Sequence, residues 1–389
     1  MIITNPVTIT KDLIQLESTD PGTYESKVSD YIKNYLNQLP VSVVTVSEEE
    51  ILPGRKNLMA VIAGPSDNPD LVFLCHMDTV PVGNDWTIPP FDAIERDGQI
   101  YGRGACDMKS GLACALTAFA EAALSVAHGA TLHSTLRLIA TIDEEDEMRG
   151  VEGALASGWI PSNAYLLDTE PTNGDIRMGH KGRLWFHLTV HGKAAHASNP
   201  EKGADAIAGM AHIVAYIQEH ISSFPKDDYF GSSSVCFGQI SGGTVPYAVS
   251  DSCTVTIDMR LVPPATHLNA TALLDQAIAH ARTYISGISA TYEITGNRPP
   301  VPYDGSSELL HRLTEAYQTV HQKDPNISVF TGYTDSAVAA SALQNHNCIS
   351  FGPGNLQLAH KPDESVPLQD ILDCRKVLDQ FIGFIPFTG

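Results

Sequence analysis

Positive charge is scarce in this chain: 24 Lys and Arg stand against 45 Asp and Glu in 389 residues, a net charge of -21. So acidic a surface repels phosphate backbones and anionic headgroups, which sets nucleic acid and membrane surfaces aside as expected partners. Long apolar runs are also missing, and no stretch approaches the ~20 apolar residues of a spanning helix. The N-terminal MIITNPVTITKDLIQ has no basic leader ahead of an apolar run, and Asn5-Pro6 interrupts what run there is, so no secretory signal is expected. The seven cysteines are odd in number and lack CxxC spacing. Cys75, Cys114, Cys253 and Cys348 lie in apolar stretches, where reduced, buried thiols are the ordinary outcome. The expectation is a cytoplasmic enzyme or binding protein. Internal repeats, low-complexity segments and the GxSxG of a serine hydrolase are absent. GRGACDMKS is not a phosphate loop either, because Met108 stands where a glycine must precede the lysine and Asp107 breaks GxGxxG.

What remains is enough apolar sequence for two domains. Residues 12–39 carry apolar positions at helical spacing, and VSVVTV, LMAVIA and LVFLC follow as runs of strand length. The Ala- and Leu-rich segment 108–127 reads as a buried helix, and LRLIATID and AYLLDTEP as further strands. This alternation predicts an α/β fold: a mixed, largely parallel sheet with helices on both faces. From residue 181 the pattern changes. RLWFHLTVHG alternates as a half-solvated strand, and it is followed by helix 203–221, strands SSVCFGQI and DSCTVTIDMRL, helix 266–285 and strand ISATYEI. That order matches an inserted α+β split-βαβ (ferredoxin-like) domain. Residues 1–180 and 296–389 are therefore expected to form a discontinuous catalytic domain, and 181–295 a second domain. Helix SSELLHRLTEAYQTVH, a short strand ending at CISFG and a final helix near 367–383 complete the first.

In open α/β sheets, ligands bind beyond the carboxyl ends of strands, and the unusual polar groups of this chain gather at such ends. His76 and Asp78 end LVFLC; Asp143, Glu144 and Glu145 end LRLIATI; Asp168 and Glu170 end AYLL; the strand holding Cys348 leads through GPGN to His360. Asp107 falls where a glycine-rich turn enters the Ala-rich helix. Each has an ordinary reading alone: a solvated strand end, a surface acidic loop, a helix N-cap. Together, so many carboxylates would repel and protonate unless a divalent cation offset them. Two His and three carboxylates suit two metals sharing one bridging carboxylate, with positions left open for water. Asp78 follows His76 at the spacing that puts both on one side of an extended chain, so its carboxylate is expected to fix the tautomer of a ligating His76. The neighbours Glu144 and Glu145 cannot both face one metal. One is expected to ligate and the other to act as general base.

The motifs HMDTVP (76–81), GRGACDMKSG (102–111), TIDEE (141–145), TEPT (169–172), HGKAAHAS (191–198), SGGT (241–244), DMR (258–260) and AHKPDE (359–364) occur in this order along the chain. In this the sequence resembles the di-zinc metallopeptidase and amidohydrolase family of acetylornithine deacetylase, succinyl-diaminopimelate desuccinylase, aminoacylases, glutamate carboxypeptidase and related dipeptidases. The resemblance implies Asp107 as bridging ligand, His76 and Glu170 on one metal, Glu145 and His360 on the other, and Glu144 as the general base. Asp168 competes with Glu170, whose EPT context favours it. The resemblance further implies that His196 reaches a neighbouring subunit's site to stabilise an oxyanion, that Arg260 holds a substrate carboxylate through its paired donors, and that the inserted domain is a lid and makes a homodimer.

Two departures stand out. Tyr247 occupies the place after SGGT where relatives carry a substrate-contacting Asn, and Tyr333 makes TGYTD of a TGGTD-like motif. The reaction implied is hydrolysis of the amide bond of an N-acyl amino acid, with water acidified by metal and Glu144 moving the proton. A dipeptidase or carboxypeptidase is the alternative, and a catalytically silent metal- or peptide-binding relative a more distant one. Zinc is the expected ion, with cobalt or manganese compatible with so carboxylate-rich a set.

Overall fold

All six residues of the strand Leu71–His76 are buried, as befits a strand with neighbours on both edges and helices on both faces. It lies inside an eight-stranded sheet in the computed structural model, which describes residues 2–384 apart from Ser66 and His133. The chain divides into two units: Met1–Gly179, Tyr303–Phe330 and Thr334–Gly389 form the first, His180–Pro302 and Thr331–Tyr333 the second. The expected break at 180/181 thus falls beside the division, while the return lies at 302/303 rather than 295/296. Thr331–Tyr333 joins the second unit because the Tyr333 hydroxyl donates to the Pro299 carbonyl at 3.0 Å and its ring meets that of His180 edge-on.

The large sheet runs Val44–Leu52, Arg55–Ile62, Leu136–Thr141, Leu71–His76, Tyr165–Asp168, Cys348–Ser350, Ile176–His180, Ile327–Phe330. Its four middle strands, Leu136–Thr141 through Cys348–Ser350, are parallel. The strands Val44–Leu52, Arg55–Ile62 and Ile176–His180 pair antiparallel around them. The mixed, largely parallel sheet expected from the sequence is therefore present, and the carboxyl ends of its parallel strands point one way. That direction is where His76, Thr141 and Asp168 end their strands.

The helix Lys109–Ala127 packs on this sheet and against Pro6–Ile14 and Leu368–Phe384. It approaches closely where Gly111 lacks a side chain: a Cβ there would stand 1.9 Å from the Thr169 carbonyl oxygen. By length and composition it is apolar enough to cross a membrane, contrary to the expectation that no stretch comes near that length, yet most of it is buried in the fold as a core helix. The helical pattern over 12–39 resolves into two helices, Pro6–Ile14 and Ser26–Leu36. Pro6 sits at N1 behind the Asn5 cap, whose side chain accepts the Val7 N–H at 2.9 Å, and the turn-forming STDPGT separates the two helices.

In the second unit the strands Gly182–His191, Ser234–Gly242, Ser252–Leu261 and Ser289–Arg298 form an antiparallel sheet, with Ser234–Gly242 and Ser289–Arg298 at its edges. The helices Ala206–His220 and His267–Tyr284 cover one face, burying Phe186, Leu188, Ile257 and Leu274 between the layers. Burial alternates along Gly182–His191 and Ser252–Leu261, so one face of the sheet is packed and the other open. Chain order and strand order together are those of the split-βαβ fold.

Candidate metal centre

Asp107 lies between two imidazoles. Its Oδ1 is 3.2 Å from His76 Nε2 and its Oδ2 is 3.4 Å from His360 Nε2. His76 is also 3.5 Å from Glu170 Oε1, and His360 is 3.0 Å from Glu145 Oε2. The geometry thus pairs His76 with Glu170 and His360 with Glu145 about a shared Asp107. Ligand-type atoms of His76, Asp107 and Glu145 lie within 4.8 Å of one another, as do those of His76, Glu144 and Glu170. Glu144 is therefore turned toward the His76 side and Glu145 toward the His360 side. The two diverge within the turn that follows the strand Leu136–Thr141, after the left-handed residue Asp143.

Each group is placed by the end of an element. His76 closes its strand; Glu144 and Glu145 follow Leu136–Thr141; Glu170 follows Tyr165–Asp168. Asp107 precedes the helix Lys109–Ala127. His360 is presented from a turn with φ +63°, in the left-handed region, and Asp143 just ahead of Glu144 has φ +68°. Such backbone costs of order 1 kcal/mol and persists where surrounding bonds determine it. At Asp143 those bonds are visible: its carboxylate accepts from Arg149 at 2.6 Å and Arg55 at 3.2 Å, and its N–H donates to Glu25 at 3.2 Å. Arg55 in turn meets Asp20 at 2.5 Å and both oxygens of Glu25, all buried.

Asp168, the alternative to Glu170, turns away from His76. Its Oδ2 accepts from Thr334 at 2.8 Å, Ser350 at 2.9 Å and Ser336. The role expected of Asp78 needs correction. His76 Nδ1 is 3.0 Å from the backbone carbonyl of Asp78 and 3.7 Å from its carboxylate. The carbonyl, not the carboxylate, fixes the tautomer, because the strand ends at His76 and the same-side spacing no longer holds two residues on. The Asp78 carboxylate instead accepts the backbone N–H groups of Glu144 at 3.2 Å and Glu145 at 3.0 Å.

The electrostatics call for positive charge. Burial, reinforced by Glu170 and Glu145, pushes Glu144 well above the ordinary carboxylate range; burial and Asp107 do the same to Glu170. Burial and the Asp107 charge push Glu145 up to about 7. Burial would raise Asp107 as well, but its bonds to His360 and His76 hold it low. His360 is raised to about 10 by Asp107 and Glu145. One oxygen of Glu145, Oε1, is buried without a hydrogen-bond partner among the described residues. A buried carboxylate oxygen so left is what a ligand to an absent cation looks like. Donor types and grouping both fit divalent metal.

The other two expected residues belong to the second unit. His196 is exposed, and its Nδ1 accepts the Ser198 N–H at 3.2 Å and lies 2.8 Å from Ser198 Oγ. A neutral ring held this way carries its proton on Nε2. The loop bearing it pairs with the segment at Tyr247, whose carbonyl accepts from Ala197 at 3.0 Å. Arg260 forms a two-pronged pair with Asp258, both bonds 2.9 Å, so its fork is already engaged.

Sequence reasoning missed the Glu25–Arg55 pair and Asp335. The Asp335 Oδ2 accepts from Thr141 at 2.5 Å, and burial pushes this carboxyl up to about 7. Only its place in TGYTD hinted at it.

The chain matches the model of "Peptidase family M20/M25/M40" over residues 72–383. It is 27% identical over 384 residues to a Staphylococcus epidermidis protein named "Probable succinyl-diaminopimelate desuccinylase", with 91% of each chain covered. It is 28% identical over 415 residues to the "N-formyl-4-amino-5-aminomethyl-2-methylpyrimidine deformylase" of Bacillus subtilis, covering 97% of this chain and 93% of that one. Its fold is similar to that of a tripeptidase from Staphylococcus aureus, with a TM-score of 0.80 at 19% identity over 99% of both chains. The family match spans His76, Asp107, Glu144, Glu145, Glu170 and His360, and the chain belongs to peptidase family M20/M25/M40 as a metal-dependent hydrolase of C–N bonds.

Proposed function

We propose that this enzyme removes the acyl group from an N-acyl amino acid by hydrolysing the amide bond next to a free carboxylate. The observation that carries the reading is the placement of Asp107 between His76 and His360, with Glu144 beside the His76 half. His76, Asp107 and Glu170 would hold one divalent ion, and Asp107, Glu145 and His360 the other. When bound, such ions supply Lewis acidity, polarising the scissile carbonyl and acidifying water.

The chain's own residues do the rest. Glu144 takes the proton of the attacking water and returns it to the departing nitrogen. The Asp78 carboxylate holds the backbone of Glu144 and Glu145 so that one faces the water and the other the ion. His196, whose Nδ1 is occupied by Ser198, offers its Nε2 N–H to the oxyanion formed in a neighbouring subunit. Arg260 exchanges or shares Asp258 for the substrate carboxylate.

Both curated relatives carry the names of deacylases, which supports an acyl group over a peptide as the part removed. Zinc is the ion we assign, from the imidazole and carboxylate donors. A homodimer through the second unit is supported by the exposed edge strand Ser234–Gly242, and the cytoplasm is the compartment we assign, from the free cysteines.

The test is metal content of the purified enzyme together with turnover of N-succinyl, N-formyl and N-acetyl amino acids and of dipeptides, before and after chelation. Two ions per chain and chelator-sensitive deacylation are expected. Turnover confined to dipeptides would replace the substrate class, and a protein that takes up no metal would remove the mechanism.

A further inference from the structure

Arg103 and Glu364 form a salt bridge of 2.6 Å in which each side chain is 1% exposed. A buried pair of this kind contributes little to stability by itself. Glu364 Oε1 accepts the backbone N–H groups of Cys106 at 2.9 Å and Asp107 at 3.1 Å, and Oε2 accepts that of Gly104 at 3.1 Å. One carboxylate thereby sets the path of the turn that ends in the shared residue Asp107. Glu364 follows His360 by four residues, so the same side chain fixes the segment bearing the second imidazole.

Arg103 reaches the remaining strand end. Its Nη2 donates to the carbonyl of Pro81 at 3.2 Å, in the stretch that follows His76 and Asp78, and its Nη1 donates to the carbonyl of Lys361 at 3.4 Å. The guanidinium also sits 5.1 Å over the ring of Trp86. Three separate segments, those of His76, Asp107 and His360, are thus tied through one ion pair that touches none of the ligand-type side chains. A fork of five donors can span three acceptors in this way, whereas an ammonium cannot.

We infer that Arg103 and Glu364 are positioning residues of the metal centre, setting the separation of its imidazoles about Asp107. The inference rests on the metal-centre reading above. Groups that orient ligands from behind typically change metal affinity by about 10- to 100-fold when altered. Glu364→Gln turns an NH2 toward the Gly104 N–H and the Arg103 guanidinium, setting donor against donor. Arg103→Lys keeps the charge opposite Glu364 but cannot also reach Pro81 and Lys361.

The experiment is Co2+ titration of the metal-free full-length enzyme by equilibrium dialysis and visible absorption, with thermal melting of the metal-free proteins alongside. Both variants should bind Co2+ about 10- to 100-fold more weakly than wild type, with a changed absorption band. Arg103→Lys carries this test even if Glu364→Gln does not fold. Wild-type Co2+ affinity and spectrum in a folded variant, with or without a lower melting temperature, would overturn the inference and reduce the pair to a structural tie. Failure of the wild-type enzyme to take up Co2+ at all would instead strike the metal-centre reading itself.

Discussion

The carboxylate of Asp78 holds Glu145 by its backbone, at 3.0 Å from the N–H, and through the same group holds the preceding residue at 3.2 Å. It orders both residues at once through their backbone, the base and a ligand in the mechanism proposed above. Asp78→Asn keeps one acceptor and turns an NH2 toward the other N–H. Steady-state kinetics should show kcat lowered by about 10- to 100-fold with KM little changed. An unchanged kcat would mean that the segment keeps its shape without this carboxylate.

Glu144 and Glu145 separate by what they lose. Glu144→Gln removes proton transfer and should cut kcat by about 10²- to 10⁴-fold while metal content stays at wild-type level. Glu145→Gln removes a charge 3.0 Å from His360, and elemental analysis should show metal lost from the protein. Equal metal loss in both would merge the two roles.

Gly111 marks where the helix Lys109–Ala127 meets the Glu170 segment. A methyl group there would stand 1.9 Å from the Thr169 carbonyl oxygen, and backbone on both sides must move. Gly111→Ala should lower stability by about 1–3 kcal/mol by urea denaturation and weaken metal binding with it, through displacement of Glu170. A fully stable variant would show that the helix can retreat at little cost.

His180 gives a pH dependence. Burial lowers its pKa from 6.5 to about 3, so the folded chain keeps it neutral where the unfolded chain protonates. The unfolded state binds the extra proton, so stability is undiminished above pH 6.5 and falls as pH drops toward 3. From this residue the loss between pH 7.5 and 5.5 is about 1.4 kcal/mol. In His180→Gln the change in unfolding free energy between the two values, from urea denaturation, should differ from that of wild type by this amount, with the contributions of Glu145 and Asp335, both raised to about 7, left in place. A dependence equal to wild type in that variant would assign it elsewhere.

Residue type and place along the chain made much of the centre legible. His76, Glu170 and Glu144 stand at the ends of parallel strands, a position that apolar runs reveal without any knowledge of contacts. The two sheets were legible for the same reason, through continuous burial in Leu71–His76 and alternation in Gly182–His191. What escaped depends on long-range pairing. Arg55 meets Asp143 across 88 residues and Arg103 meets Glu364 across 261, and no periodicity encodes such partners. The small sheet of Ile94–Arg96, Gln99–Tyr101 and Ser365–Pro367 is built of strands too short to show a pattern. The Asp78 carboxylate does not fix the His76 tautomer because extended geometry ends with the strand at His76.

The grouped residues do not arrive together during synthesis. His76, Asp107, Glu144, Glu145 and Glu170 precede the inserted unit, and His360 follows it. At roughly 5–20 residues per second on the ribosome, His360 emerges about ten to forty seconds after Glu170. Through that interval the nascent chain carries four of the carboxylates with one imidazole, and closure of the sheet's carboxyl edge requires some of them to hold protons, as burial favours at Glu144 and Glu170. The last stretch of the message therefore completes the charge balance as well as the fold. Chains ending before residue 360 also lack the helix Leu368–Phe384, which packs on Lys109–Ala127, and should be exposed to proteolysis in a way that the finished protein is not.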